Sequence, residues 1–214
     1  MKKFLAAIVA VLFAAPSFAQ YSSGGFSLSE SSLYYGLRLG VNFAGIGGDY
    51  VDLGTKTGMN LGGVVGLRLS DTTPVFLESG LYYTERGAKK DKEKVGLTYF
   101  ELPVLIKYGI QVSDDIAVLP YIGPYFSYGI AGKGKITNPN KSAFPAGTDF
   151  PWNKSSYKKF KHWDMGFKIG CGAEYNKLYA EIGYQFGVAN IAKENPADDD
   201  AKGHALYLNL GVNF

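Results

Sequence analysis

Residues 162–175 read HWDMGFKIGCGAEY. From Trp163 onward every second residue is apolar: Trp163, Met165, Phe167, Ile169, Cys171, Ala173 and Tyr175. Between them stand Asp164, Gly166, Lys168, Gly170, Gly172 and Glu174. Successive side chains of a strand point to opposite faces, so this stretch predicts a β-strand with one apolar face and one polar, glycine-rich face. Twelve steps at roughly 3.4 Å and about 45° of tilt rise about 29 Å. A bilayer's hydrocarbon core is about as thick, roughly 30 Å.

Seven more segments repeat the pattern, at 34–43, 58–70, 74–86, 97–108, 116–129, 178–188 and 204–214. In the first, Tyr35, Leu37, Leu39, Val41 and Phe43 alternate with Tyr34, Gly36, Arg38, Gly40 and Asn42. In the last, Leu206, Leu208, Leu210, Val212 and Phe214 alternate with Tyr207, Asn209, Gly211 and Asn213. Segment 116–129 is less clean, with Ile116, Val118, Ile122, Phe126 and Tyr128 opposite Tyr121, Gly123, Tyr125 and Ser127. No helical period persists beyond the first 19 residues, and 28 Gly, 16 Tyr and 14 Phe in 214 residues suit an all-β chain.

Two architectures share this alternation and are inverses of one another. A soluble barrel or sandwich buries the Leu/Val/Phe face; a membrane barrel turns it to lipid and fills its interior with polar and small residues. Connection lengths favour the second: long at 44–57, 87–96, 130–161 and 189–203, short at 71–73, 109–115 and 176–177. Aromatics also gather at the two ends of the apolar face, where a ring sits half in lipid and half in water. Tyr35, Tyr108, Tyr175 and Phe214 mark one end; Phe43, Tyr83, Phe100, Phe126, Trp163 and Phe186 mark the other. The expectation is a closed, antiparallel, up-and-down transmembrane β-barrel of about eight strands over 34–214, with short periplasmic turns and long extracellular loops.

The N-terminus sets the compartment. Lys2 and Lys3 precede an apolar run from Phe4 to Ala15, followed by Pro16 and the small-x-small ending Ser17-Phe18-Ala19. This predicts a secretory signal peptide over 1–19, too short to span a bilayer, and a flexible segment over 20–33. Export to the bacterial outer membrane follows. Without Lys2 and Lys3, Lys plus Arg number 20 against 19 Asp plus Glu, so the charge balance gives nucleic-acid binding no support. A single cysteine, Cys171, forms no intrachain disulfide and reads as a small lipid-facing hydrophobe.

The polar parity carries the chemistry. Arg38, Arg68, Lys107 and Lys168 share it with Glu78, Glu101, Asp164, Glu174 and Glu181, and are expected inside the barrel as mutually satisfied charges. Interior tyrosines Tyr82, Tyr99, Tyr121, Tyr125, Tyr179 and Tyr207 fill space there, which argues against a solute channel. A lipid-modifying enzyme would need a histidine dyad; His162 with Asp164 is the one suggestive pairing, with no serine fixed beside it. Gly132-Lys133-Gly134-Lys135 lacks phosphate-loop spacing, and Glu194 with Asp198-Asp199-Asp200 lacks a calcium loop's glycine, so no cofactor or metal is expected.

The third long connection is the strongest binding candidate. Between Gly132 and His162 it sets seven lysines, among them Lys154, Lys158, Lys159 and Lys161, against the single acid Asp149, with Trp152 and four other aromatics interleaved. Such a loop suits phosphate-bearing outer-membrane glycolipid or a surface or periplasmic protein partner. The C-terminal Phe214, after alternating Leu208, Leu210 and Val212, resembles the signal read by the barrel-assembly machinery.

Several motifs, in order, resemble the PorT-like outer-membrane β-barrel family: YGLRLGVNFAGI, SGLYYTERGAKK (79–90), TYFELPVLIKY (98–108), PYIGPYFSYG and DMGFKIGCGAEY. The third is the closest, similar to the family's Tyr-x-Glu-x-Pro-x-x-x-Lys-Tyr strand. The resemblance covers most of the chain after the signal. It implies a fold and a location rather than an activity.

Overall fold

The computed structural model describes residues 33–47, 52–70, 72–90, 93–113, 115–135, 162–189 and 202–214. The expected signal peptide over 1–19, nearly all of segment 20–33 and the heart of the lysine-rich connection lie outside them. Nine antiparallel strands form one sheet: β1 (Leu33–Gly47), β2 (Asp52–Arg68), β3 (Val75–Lys90), β4 (Glu93–Tyr108), β5 (Ile110–Ser113), β6 (Ile116–Lys135), β7 (Trp163–Tyr175), β8 (Leu178–Gly187) and β9 (Lys202–Asn213). Strand β5 is a four-residue stub paired with the start of β6. The other eight are the staves, and pairing of β4 with β6 and of β1 with β9 closes the barrel.

The alternation places side chains as the bilayer requires. Leu210, Trp163 and Leu81 stand 69 %, 63 % and 58 % exposed on the outer wall, while Lys107, Glu101 and Arg38 are at most 1 % exposed within. An outer wall this apolar suits lipid, not water. Among the described residues no helix is long and apolar enough to cross a membrane; the strands do the crossing.

At the turn end, Asn176 takes the left-handed φ of 54° that a two-residue turn needs and asparagine tolerates. Its N–H donates to Asp115 O at 3.2 Å, and Asn213 N donates to Lys177 O at 2.8 Å, tying neighbouring turns together. Both ends of the barrel domain lie here. Phe214 N donates to Tyr35 O at 2.7 Å and Tyr35 N to Phe214 O at 3.1 Å, adding a rung to the β1–β9 seam.

The loop end departs from the sequence expectation. Connections 44–57 and 87–96 are not long loops: β1 and β2 stay paired up to Gly47 with Asp52, and β3 and β4 up to Lys90 with Glu93. Beyond the bilayer no lipid imposes alternation, so the apolar pattern stops while the backbone ladder continues. Register shifts lie where this change occurs, at Ala44/Ile46, Thr55/Asn60 and Thr98/Tyr99.

Inside, large residues sit over small ones. A Cβ on Gly66 would collide with the ring of Tyr34, whereas outward-facing Gly63 has nothing nearer than 4.0 Å. Gly66→Val is expected to destabilise the barrel by about 1–3 kcal/mol through overpacking, and Gly63→Val to change stability by less than about 0.5 kcal/mol. Urea unfolding in vesicles, followed by heat-modifiable gel mobility, checks the difference. Deleting Phe214 removes a seam rung and is expected to lower assembled barrel in membranes more than shortening the β8–β9 connection does; equal yields would oppose this.

Candidate functional site

The lumen collects most of the buried chemistry. Arg38, Glu78, Glu101, Lys107, Asp164, Lys168, Glu174 and Glu181 are all buried in it; Arg68 is half-buried at the turn-end rim, its Nε donating to Ser70 O at 2.8 Å. The burial follows from strand parity, and the partners follow from register.

Three tiers cross the lumen. Nearest the turn end, Glu78 accepts from Tyr34 OH at 2.7 Å and pairs with Lys107 at 2.8 Å and Arg38 at 3.5 Å. Lys107 also donates to Tyr179 OH at 2.8 Å, linking β4 to β8 across the interior, and Tyr179 donates to Glu181 at 3.1 Å. The Arg38 guanidinium lies 3.9 Å over the Tyr179 ring, and Asn213 donates to Glu174 at 2.7 Å.

In the middle, the hydroxyls of Tyr121 on β6 and Tyr207 on β9 meet at 2.9 Å. Beside them Asn42 donates to Asn60 at 2.9 Å, Asn60 to Asn209 at 3.3 Å, and Asn209 to Glu181 at 2.7 Å, an amide chain across β1, β2, β9 and β8.

Toward the loop end, Arg86 on β3 pairs with Glu101 on β4 and, at 2.8 Å, with Asp164 on β7. Lys168 pairs with Glu101, Ser127 donates to Glu101 at 3.2 Å, and Tyr125 donates to Asp164 at 3.3 Å. Gln185, with its amide oxygen turned toward Arg86, accepts from that guanidinium at 3.0 Å. The sequence puts Arg86 on the polar parity of 74–86 with Glu78 and Thr84, but the expected interior charges leave it out; its central place comes from strands β4 and β7, which its own segment does not reveal.

This arrangement is a plug. Bonds span the interior at each height, and the tyrosines occupy the space between them. Buried charges are tolerated where each has a counter-charge and hydrogen bonds. Arg38, Glu78, Lys107, Glu101, Lys168 and Asp164 meet this expectation, whereas Glu174 and Glu181 are held by hydrogen bonds from Asn213, Tyr179 and Asn209 and not by an ion pair among the described residues. Among the described residues no three metal-ligating side chains come together. Nor do His162 and Asp164 form a dyad. The His162 ring stacks on Tyr128 at 5.4 Å, with Nδ1 3.1 Å from Gly129 O, while Asp164 faces the lumen and Arg86. His204 stacks on Tyr184 at 6.4 Å in the outer aromatic belt. Cys171 lies on the outer wall, partly exposed. Lys154, Trp152, Lys158, Lys159, Lys161 and the Asp198–Asp200 run lie outside the described residues.

Removing Arg86 leaves Glu101 and Asp164 without their shared cation. Arg86→Gln is expected to cost about 3–5 kcal/mol. An unchanged urea midpoint in vesicles would show the plug to be looser than the geometry implies.

Comparison with known proteins agrees with this architecture. Neisserial surface protein A matches in fold at a TM-score of 0.50 and 15 % identity, over 86 % of this chain and 98 % of its own. A major outer membrane protein of Thermus thermophilus matches at a TM-score of 0.51 and 13 % identity, over 86 % of this chain and all of its own. At these identities the likeness concerns the fold alone. No curated protein matches the chain in sequence. A family model described as outer membrane protein beta-barrel domain matches residues 18–193. Lipid-facing wall, filled polar lumen and family match agree, and the chain belongs to the outer membrane protein β-barrel domain family of bacterial outer-membrane barrels.

Proposed function

We propose that this protein is a surface-interaction barrel, exported by its N-terminal signal, which holds its lysine- and aromatic-rich segment outside the cell to dock on anionic surface material or a protein partner. The observation that carries the reading is the plugged lumen. With Arg86, Glu101, Asp164 and Lys168 closing the loop end and Lys107, Glu78 and Arg38 the turn end, the wall and what it displays become the working parts. A solute channel is disfavoured by the Tyr121–Tyr207 bridge, and a lipid-modifying enzyme by the separation of His162 from Asp164.

Orientation supports the display. Both ends of an even-staved barrel share the turn end, which faces the periplasm in barrels of this kind, so Lys135 and Trp163, the strand ends that flank 136–161, lie at the opposite, outward end. The backbone rung that Phe214 forms with Tyr35 at the turn end supports reading it as a signal for the assembly machinery. The motifs at 79–90 and 98–108 support grouping the chain with PorT-like barrels.

Two measurements test this. In planar bilayers the purified protein is expected to show no steady aqueous conductance; reproducible ohmic steps that scale with salt would restore the channel. Trypsin added to intact cells is expected to cut between Lys133 and Lys161 while leaving the strands whole. Cleavage only after the outer membrane is broken would reverse the orientation and remove the surface role.

A further inference from the structure

Proline has no N–H to give a ladder, so within sheets it belongs to edges and bulges. A closed barrel has no edge, yet β4 carries Pro103 mid-strand and its neighbour β6 carries Pro124. The pairing registers both. Between β3 and β4 it runs from the turn end to Ser79 with Val104 and resumes only at Tyr82 with Glu101. Between β4 and β6 it runs from the loop end to Pro103 with Tyr125 and resumes at Ile106 with Ile122. The steps passed over are Gly80 opposite Pro103 and Val104 opposite Pro124, each with the neighbouring pair. Seams β1–β9, β6–β7, β7–β8 and β8–β9 run without a break. Seams β1–β2 and β2–β3 break only beyond Phe43 and Tyr83, at the loop end. Both mid-wall breaks therefore flank one stave, β4.

Val104 stands four residues from Phe100 and four from Tyr108, the aromatics that mark the two interfaces on β4, so the breaks lie at the middle of the bilayer. Pro103 offers Gly80 no N–H, and Pro124 offers none to Val104, whose carbonyl oxygen lies against Gly123. The hydrocarbon core supplies no water in their place. Ser79, on the lipid-facing parity between Leu77 and Leu81, turns its Oγ inward along the seam and donates to Pro103 O at 2.8 Å. On either side of the breaks β4 is fastened. Glu101 is held by Arg86 of β3 and Lys168 of β7, and Lys107 by Glu78 of β3 and Tyr179 of β8. Between these clamps Leu105 packs inward with Tyr121 and Tyr207, in the middle tier, where hydroxyls and amides rather than ion pairs span the lumen.

We infer that segment 102–106 is a shutter in the barrel wall: held at Glu101 and Lys107, it bows away from β3 and β6 and opens the middle tier of the lumen to the bilayer core. A carbonyl that has no donor in the closed wall loses nothing when its seam parts, so local opening costs less here than in an intact seam. The ion-paired tiers above and below keep the barrel closed while the segment moves. The opening faces hydrocarbon, so it joins lumen to lipid and makes no aqueous path. It is independent of what the surface segment docks on.

The test is NMR relaxation dispersion on the whole barrel in lipid nanodiscs, which reads opening on the μs–ms scale. The Gly80 and Val104 amides and the Leu105 methyls are expected to show dispersion. Leu39 and Leu210, opposed in the unbroken β1–β9 seam, stay flat. Depth is matched, because Leu39 lies four residues from Tyr35 and four from Phe43. Ser79 stands directly opposite Val104, and opposed residues of an antiparallel pair are close enough for a disulfide. In a C171S background, oxidised S79C/V104C is expected to lose the dispersion at Gly80 and Leu105, and reduction to restore it. The set P103A and P124V, which returns both missing donors, loses it with no crosslink. Flat profiles at Gly80 and Val104 in the parent, equal dispersion at Leu39, or dispersion that survives the oxidised crosslink overturns the shutter. Where the proline set does not assemble, the parent and the crosslinked barrel decide between them.

Discussion

No water reaches the backbone inside a bilayer, so each amide there must find its partner in a neighbouring strand. Closure is the constraint on which everything else in this barrel depends. Eight staves joined at β1–β9 and β4–β6 leave no open edge in the wall. Eight is also the number at which the enclosed space is just wide enough for side chains to fill. The plug is thus a consequence of stave count, and the glycines opposite Tyr34, Tyr121, Tyr179 and Tyr207 are what let those rings lie within the wall's curvature.

The buried charges have a role beyond net stability, which ion pairs of this kind supply only weakly. A one-residue slip of a strand exchanges its two faces. In β7 that slip would carry Asp164, Lys168 and Glu174 into lipid and bring Trp163, Phe167 and Ile169 into the lumen. In β4 it would do the same to Glu101 and Lys107. The ion pairs make misregistered barrels costly from both sides of the wall.

The eight staves were legible because the bilayer imposes alternation wherever a strand crosses it. Legibility ended where that pressure ends. The upper parts of β1, β2, β3, β4 and β6 keep their ladders beyond the lipid, so residues such as Gly47, Asp52 and Lys90 carry no period-two mark. Which charges meet across the lumen was also hidden, because it depends on register between strands distant in sequence: Arg86 and Asp164 are 78 residues apart. His162 and Asp164, two residues apart, looked like companions, but β7 begins between them, and the ring before it packs outward on Tyr128.

The extra residue in β6 has an evolutionary consequence. Below Ile130, the one β6 residue left between the partners of Tyr99 and Thr98, the strand's phase is fixed by lipid on one side and the plug on the other. The bulge is therefore a junction between two reading frames of the same strand. Losing one residue there would shift the register of β6 against β4 above Gly129 while leaving the pairings below it in place. Crown and wall can then change at different rates, one answering to whatever the cell surface meets and the other only to the thickness of the membrane.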